Sequence, residues 1–273
     1  MTRKTLLTLL YAGVVLSAGA LKVEASVFAT AHPGTSGPDS ITDGAGSIWV
    51  SYDGGTNSTG TDPFSFSTIV RYSPTGTVQH VYKIQGDVDG LKYNPFTGTV
   101  WALQNQDANA HLTIIEPGSG SLISHSYAVT SQTQGFDEVV FTKNGTYLSE
   151  TNPSSPTDVT LVKIVPNTSP IQVTPVLTAG SPGLNVVTGQ KNFVPAQPTG
   201  PDSLQSAPNG SLYQTTGANR DTIAIFDPAT NALKYLTLTA NGKAVSGMDD
   251  TLFITSTRPS TGRFLSIRAS RAP

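Results

Sequence analysis

A short phrase that occurs twice in the chain constrains its fold more than any other feature. Residues 37–49 read Gly-Pro-Asp-Ser-Ile-Thr-Asp-Gly-Ala-Gly-Ser-Ile-Trp, and residues 200–213 read Gly-Pro-Asp-Ser-Leu-Gln-Ser-Ala-Pro-Asn-Gly-Ser-Leu-Tyr. Two degenerate copies lie between these two, and a truncated copy follows them. Self-similarity at this period indicates a repeat architecture in which each copy is one supersecondary unit.

Each complete copy divides into four strand-like runs that are separated by turn signals. The first run begins near an aspartate, and the turn after it carries Gly or Asn, which accept a positive φ at low cost. The third run ends at a proline, which suits a strand end because proline cannot donate to the ladder. We interpret the large side chains of the second run as packing between neighbouring sheets: Trp49, Trp101, Leu148, Tyr213 and Phe253.

The pattern predicts an all-β fold, a single β-propeller of five four-stranded blades. Equivalent aspartates are 50, 48 and 65 residues apart, and the longest spacing includes the extra residues 178–198. A sixth, reduced blade formed by these extra residues is the alternative. The last copy lacks an outer strand, whereas residues 26–32 form a spare one. We therefore expect the ring to close by pairing of the N-terminal strand with the last blade, which would remove the free edges.

The beginning of the chain has the pattern of a signal peptide. Arg3 and Lys4 are followed by an apolar stretch at 6–16, which is too short to span a bilayer, and then by small residues. We predict a signal peptide at 1–25, a propeller domain at 26–273 and a secreted or periplasmic protein. An uncleaved membrane anchor is the alternative. The chain has no cysteine, so disulfides and thiolate metal sites are not expected.

Charge and motif content narrow the range of partners. The formal net charge is −2, which gives no reason to expect nucleic acid or an anionic membrane as a partner. No apolar stretch after residue 25 is long enough to span a membrane, and we expect a monomer. The chain has neither a Gly-x-Ser-x-Gly elbow nor a phosphate-binding glycine loop.

Polar side chains are expected to gather at one opening of the central channel, because the inner strands of a propeller start on the face where the second strands end. The repeated aspartates start the inner strands: Asp39, Asp89, Asp137 and Asp202. Loops after the second strands supply Glu150, the most base-like group there. The same loops supply the candidate ligand-binding residues Tyr52, Asp53, Gln104, Asn105, Asn152, Asn219, Arg220 and Arg258.

Three interpretations of the repeated aspartates stay open. Carboxylate and amide oxygens suit Ca²⁺ or Mg²⁺, and no other cofactor is indicated. Alternatively, each aspartate accepts hydrogen bonds from its turn and holds adjacent blades together, since a residue repeated in every blade serves the repeat. Direct catalysis is the third interpretation. Carboxylates that pack together without a cation would raise each other's pKa.

The repeat resembles a known group of propellers. Its elements are Pro-Asp-hydrophobic, then Asn-Gly or Gly, then hydrophobic-aromatic, then a strand ending in Pro-x-Thr-Gly. This order resembles NHL-type, gluconolactonase or senescence-marker-type, and virginiamycin B lyase-like propellers, and it covers nearly the whole chain after residue 25. The resemblance implies the propeller fold. It also implies a divalent cation, which the lactonases of the group hold with acidic and Asn side chains from several inner strands.

Two departures separate the chain from the lyase-like propellers, which are seven-bladed and carry a histidine near the cation. The chain has fewer repeats, and its four histidines do not recur at one repeat position. We therefore predict an exported ligand-binding or scaffold module that takes a small molecule or a protein at the channel-mouth face. The alternative is a lactonase-like, cation-dependent hydrolase or lyase in which the four aspartates hold the cation and Glu150 is the base. The sequence leaves open whether the protein is an enzyme.

Overall fold

The computed structural model describes residues 28–128, 135–195, 201, 203–215, 222–244, 250–254 and 263–267. Within these ranges the chain forms strands and turns, and no described segment is a helix that could cross a membrane. Several predictions concern residues outside these ranges: the signal peptide at 1–25, Asp202, Asn219, Arg220 and Arg258.

The first repeat folds into a four-stranded antiparallel sheet, which we call the first unit. Its strands follow one another in space as they do along the chain. They are β1 (Pro38–Gly44), β2 (Ser47–Tyr52), β3 (Phe66–Tyr72) and β4 (Val78–Gln85). Ala45 and Gly46 connect β1 to β2, both with a positive φ (52° and 68°), which is the geometry of the tightest hairpin turns.

The next two repeats form the second and third units. The second unit contains β5 (Val88–Asn94), β6 (Thr99–Gln104), β7 (His111–Ile115) and β8 (Leu122–Ala128). The third contains β9 (Phe136–Thr142), β10 (Gly145–Glu150), β11 (Val159–Val165) and β12 (Ile171–Thr178). Their outer strands β8 and β12 pair in parallel, Tyr127 with Ile171 and Ala128 with Gln172, so the two units form one eight-stranded sheet.

The fourth unit includes the extra residues that follow the third repeat. It contains β13 (Leu184–Asn185), β14 (Leu204–Ser206), β15 (Leu212–Thr215), β16 (Thr222–Asp227) and β17 (Ala232–Thr237). Strand β13 comes from the extra residues and pairs in parallel with β17, so these residues extend the fourth sheet by a fifth strand. Two hairpins follow, β18 (Thr239–Ala240) with β19 (Lys243–Ala244) and β20 (Asp250–Ile254) with β21 (Arg263–Ile267). We call β20 and β21 the last unit.

The first strands of successive units lie side by side. Strand β1 contacts β5, β5 contacts β9 and β9 contacts β14. Each unit thus turns its first strand inward and its last strand outward, which is a propeller-type fold. The all-β, repeat-based fold predicted from the sequence is confirmed at this level.

Large side chains on the second strands fill the interfaces between units, as the sequence predicts. Trp49 packs in the core between the first and second units, and Trp101 packs in the core between the second and third. In the third unit the prediction of Leu148 for this position is wrong. Tyr147 pairs with Val140 as Trp49 pairs with Thr42, because Lys143 and Asn144 form the β9–β10 turn and Gly145 already lies in β10. Tyr147 packs against the fourth unit.

One inner-strand position shows that the first unit has an open face. Leu91, Val139 and Leu204 follow their repeat aspartates by two residues, and each is 0% exposed between its own unit and the preceding one. Ile41 holds the same position on β1, yet 67% of its surface is exposed. The described residues include nothing that covers Ile41 as the preceding units cover its three counterparts.

The N-terminal residues of the described chain lie near this open face. The strand predicted at 26–32 is not present in the described part of this segment, because residues 28–32 form no strand. The ring of Phe28 packs edge-on against that of Tyr72, with centroids 6.3 Å apart, and Ala29 packs against the cluster that contains Tyr52 and Tyr72. Pairing of this segment with the last unit is not among the described contacts.

Candidate functional site

Aspartates from three successive units meet at the start of their inner strands. Asp39, Asp89 and Asp137 hold the same repeat position on β1, β5 and β9. With its amide nitrogen facing the carboxylates, Gln106 donates to Asp89 Oδ2 (2.6 Å) and to Asp137 Oδ1 (3.1 Å). Asp39 and Asp89 share a side-chain hydrogen bond. We call these four residues the inner-strand cluster.

The electrostatics of the inner-strand cluster favour a bound proton. Asp39 is accessible to water but recessed among protein atoms, and this burial, followed by the charges of Asp89, Asp87 and Asp53, raises its pKa to about 9. The hydrogen bond with Asp89 acts in the same direction. A second negative charge this close is costly, so Asp39 keeps its proton at neutral pH.

A second group of carboxylates surrounds the cluster. Asp87 is buried, and burial raises its pKa although the Thr56 hydroxyl donates to it (2.5 Å); the charges of Asp89, Asp53 and Asp107 raise it further. The carboxylate of Asp107 in turn accepts hydrogen bonds from Ser58 and Asn152. This side of the molecule therefore concentrates negative charge around the first two units.

A recurring backbone hydrogen bond brings the loops to the inner strands. In each of the first three units, the first loop residue after the second strand donates to the residue two positions before the repeat aspartate. The bonds run from Asp53 N to Gly37 O (2.9 Å), from Asn105 N to Asp87 O (2.9 Å) and from Thr151 N to Gly135 O (3.2 Å). These backbone hydrogen bonds therefore hold the loops next to the inner-strand aspartates, as the sequence predicts.

The third unit holds Gln106 in place. The Gln106 carbonyl accepts a hydrogen bond from Gly135 N (2.7 Å) and another from the Thr151 hydroxyl. A Cβ at Gly135 would overlap the backbone of Asn105 and Gln106, so only glycine permits this approach. The main chain of one unit thus positions a side chain that connects aspartates of two units.

The inner strands of the second and third units also approach closely. A Cβ at Gly90 would overlap the Asp137 carbonyl oxygen and the Leu103 side chain. Beside this approach, Lys92 Nζ lies 3.5 Å from Glu138 Oε1 and joins β5 to β9. The position of Asp137 relative to Asp89 therefore depends on the absence of a side chain at residue 90.

Several predicted ligand-binding residues make internal hydrogen bonds in the structure. Gln104 is buried, donates to Gln85 O (2.7 Å) and accepts from the Thr113 hydroxyl (2.5 Å). Asn105 is buried, accepts from Asp87 N (3.1 Å) and donates to Asn109 O (3.1 Å). These two side chains brace the loops of the second unit.

The remaining predicted residues differ in their distance from the inner-strand cluster. Tyr52 is buried and its hydroxyl lies 2.9 Å from that of Tyr72, on the open face of the first unit. Asp53 accepts from Gly55 N (3.0 Å) and adds its charge to the cluster. Asn152 bonds to Asp107 at the loop of the second unit. Among the predicted ligand-binding residues that the structure describes, Asp53 is thus the one whose charge reaches Asp39.

Glu150 lies at the end of β10, and only 5% of its surface is exposed. Burial, followed by the charge of Asp158, raises its pKa to about 7. None of the three aspartates of the inner-strand cluster contributes to that shift. Glu150 thus has the pKa of a general base at neutral pH but is electrostatically separate from the aspartates.

Two members of this site, Gln106 and Asp87, are not among the residues predicted from the sequence. Gln106 follows the predicted Asn105 directly, and Asp87 precedes Asp89 by two residues, where the neighbouring units have Gly37 and Gly135. Asp87 could have been identified from the sequence, because it is an acidic residue at a position where two other repeats have glycine. In the part of the chain that the structure describes, no group of three or more His, Cys, Asp or Glu side chains is arranged to hold a metal ion.

Comparison with known proteins gives a likeness of fold. No family model matches the chain, and no curated protein matches it. A protein of unknown function from Bacteroides caccae has a TM-score of 0.51 and 11% identity, with 80% of this chain and 67% of that chain covered. A second protein of unknown function, from Bacteroides thetaiotaomicron, has a TM-score of 0.51 and 10% identity, with 77% and 52% covered.

An auxiliary nutrient binding protein from Bacteroides thetaiotaomicron has a TM-score of 0.50 and 14% identity, with 78% of this chain and 53% of that chain covered. This chain therefore spans between about half and two thirds of the length of the three neighbours. At such identities the likeness concerns the fold alone, and it agrees with the propeller-type arrangement of the units.

Proposed function

We propose that this protein is an exported binding module whose ligand, a small molecule or a segment of another protein, sits over the inner-strand cluster. The observation that carries the proposal is the chain of contacts in which Gln106 joins Asp89 to Asp137 and Asp89 bonds to Asp39, which gathers groups from three units at one place. The interface between one pair of units is lined by different residues from the next interface. Such differences are what allow a site to select its ligand. One fold neighbour is described as a nutrient binding protein, and this agrees with a binding role.

A divalent cation, Ca²⁺ or Mg²⁺, is the first ligand to test. The aspartates of the cluster offer carboxylate oxygens, which these cations prefer. The pKa of Asp39 near 9 means that a cation would have to displace the proton on Asp39. Asp202, which lies outside the described residues, is the fourth proposed ligand.

Thermal melting of the Asp39→Asn variant tests both the proton on Asp39 and the cation. Because the pKa of Asp39 is raised from 3.8 to about 9, its contribution to stability is present below about pH 3.8 and is lost as the pH rises towards 9. An amide mimics the protonated carboxyl, so in EDTA at pH 8 we expect the variant to melt at a higher temperature than the natural protein. At pH 4 the two should melt alike.

Addition of Ca²⁺ should reverse the order of the two proteins. A cation that binds the folded state raises the melting temperature of the natural protein by mass action, and the variant should lose most of that gain. Asp43→Asn, at the other end of the same strand, is the matched control and should behave as the natural protein does. No shift with Ca²⁺ or Mg²⁺ in the natural protein would remove the cation from the proposal.

A cation-dependent hydrolase or lyase is the second candidate, and the raised pKa of Glu150 favours it because a general base works best near the operating pH. In this candidate the aspartates would bind the cation and Glu150 would accept a proton. An assay of lactone and ester hydrolysis with Ca²⁺ or Mg²⁺ tests it. Turnover that Glu150→Gln abolishes would support catalysis. An absence of turnover on every lactone and ester tested would contradict catalysis and favour the binding module.

We also propose that the propeller has five units and forms a closed ring. The last unit would cover Ile41 and the open face of the first unit, and the N-terminal segment, which already lies near that face, would complete the last sheet. The signal peptide at 1–25 and a monomeric state outside the membrane, with no nucleic-acid partner, belong to the same proposal.

A further inference from the structure

Glu150 is a buried carboxyl group without a hydrogen-bond donor among the described residues. It ends β10, its backbone pairs with Phe136 on β9, and 5% of its surface is exposed. Burial and the charge of Asp158 are the causes of its raised pKa, and no hydrogen bond offsets them. A buried carboxylate without a donor is costly, whereas a protonated carboxyl can donate to a backbone carbonyl.

The second unit shows what this position requires. Gln104 ends β6 as Glu150 ends β10, and its amide donates to Gln85 O (2.7 Å) while its oxygen accepts from the Thr113 hydroxyl (2.5 Å). In the third unit the place of Thr113 on the neighbouring strand is taken by Val162. Glu150 thus lacks the donor that serves its counterpart. Only its protonated form can reproduce the donor role of the Gln104 amide.

The charges around Glu150 leave Asp158 as its main electrostatic neighbour. Asp158 lies in the loop between β10 and β11, where Ser154 and Ser155 donate to it and lower its pKa, so it stays ionised. Titratable groups on the other elements that surround this position are engaged elsewhere. Asp137 bonds to Gln106, Glu138 pairs with Lys92, Lys163 lies over the ring of Tyr147, and His111 bonds to Asn109.

Glu150 is joined to the inner-strand cluster through its neighbour in sequence. Thr151 donates from its backbone to Gly135 O (3.2 Å) and from its hydroxyl to Gln106 O, and Gly135 N donates to the same carbonyl (2.7 Å). Gln106 in turn bonds to Asp89 and Asp137. A displacement at the end of β10 would therefore reach Gln106 through one residue.

We propose that Glu150 is a pH-sensitive latch between the second and third units. In its neutral form it keeps the end of β10 in place and Gln106 among the aspartates. In its ionised form, next to Asp158 and without a donor, it loosens the contacts of Thr151 and Gly135 and releases Gln106. The consequence for ligand binding rests on the proposed function, whereas the loosening itself does not.

Hydrogen exchange of the peptide at 135–151 tests the latch, with the natural protein compared with Glu150→Gln. Between pH 6 and pH 8 the opening of this segment should become roughly ten-fold more frequent in the natural protein, after correction for the intrinsic pH dependence of exchange. Glu150→Gln should show no such increase, because an amide does not ionise. An equal increase in both proteins, or an increase in neither, would overturn the latch.

Asp158→Asn provides a second variant on an exposed loop. Removal of its charge should lower the pH at which the segment at 135–151 loosens, relative to the natural protein. An unchanged midpoint would contradict the effect of Asp158 on the pKa of Glu150. If Glu150→Gln fails to fold, the fluorescence of Trp101, buried between these two units, in a Trp49→Phe background should still report a transition near neutral pH. No transition in that protein would overturn the latch.

Calcium binding at pH 6 and pH 8 separates the latch from the proposed function. If Ca²⁺ binds and its affinity changes with pH less in Glu150→Gln than in the natural protein, both proposals are supported. If the segment loosens with pH but neither Ca²⁺ nor Mg²⁺ binds at any pH, the latch is supported and the proposed cation site is contradicted. If Ca²⁺ binds with the same pH dependence in both proteins, the link to Gln106 is overturned.

Discussion

Replacement of Gly90 by alanine is expected to destabilise the protein by about 3 kcal/mol, because the new methyl group meets backbone atoms that cannot rotate away. The Cβ would overlap the carbonyl oxygen of Asp137 on the adjacent inner strand and the side chain of Leu103. Strands β5 and β9 would have to separate, and Asp137 would move away from Gln106. Chemical denaturation measures the loss of stability.

Gly118→Ala is the matched control for this prediction. Gly118 has no positive φ, and no atom lies within 4 Å of the position that its Cβ would occupy. The substitution should be neutral or stabilise the protein by about 0.5 kcal/mol through the unfolded chain. Equal effects of Gly90→Ala and Gly118→Ala would show that β5 and β9 do not approach as the structure describes.

The second large effect is expected at Ile41. Leu91→Ala should cost about 3 kcal/mol, since Leu91 is fully buried between the first two units. If the last unit closes the ring over the first, Ile41→Ala should cost about as much, although 67% of Ile41 is exposed in the described structure. An Ile41→Ala cost below about 0.5 kcal/mol, the range of surface substitutions, would contradict closure over this face.

Truncation after residue 249 gives closure an independent check. The truncated chain lacks β20 and β21, so Ile41→Ala should have no effect in it, whereas Leu91→Ala should keep its full cost if the remaining units stay folded. A double-mutant cycle between Ile41 and the last unit would thus measure their interaction directly.

Much of the fold could be predicted because the same residue types recur at equivalent positions in several repeats. The aspartate, the turn glycine and the large side chain of the second strand recur, so the units and their interfaces follow from comparison of the copies. The mistake at Leu148 arose because adjacent Tyr147 and Leu148 are both apolar. The turn consists of Lys143 and Asn144, and Gly145 belongs to β10, so the position three residues after the turn is Tyr147.

The candidate site was harder to predict because its decisive groups do not repeat. Gln106, Asp87 and Gly90 each occur in one unit, where the neighbouring copies have different residues at the same position. Their roles depend on contacts between units, which one sequence does not encode as a pattern. The aspartates themselves were predicted, but the raised pKa of Asp39 depends on how closely the neighbouring inner strand approaches.

The parallel pairing of β8 with β12 has a consequence for how the molecule comes apart. Hydrogen bonds along this outer edge join the second and third units into one continuous sheet, whereas the first and fourth units have separate sheets. Under mechanical pulling, the region from residue 88 to residue 178 should therefore rupture as a single cooperative block. A force trace should contain one long extension step for this region in place of two shorter ones.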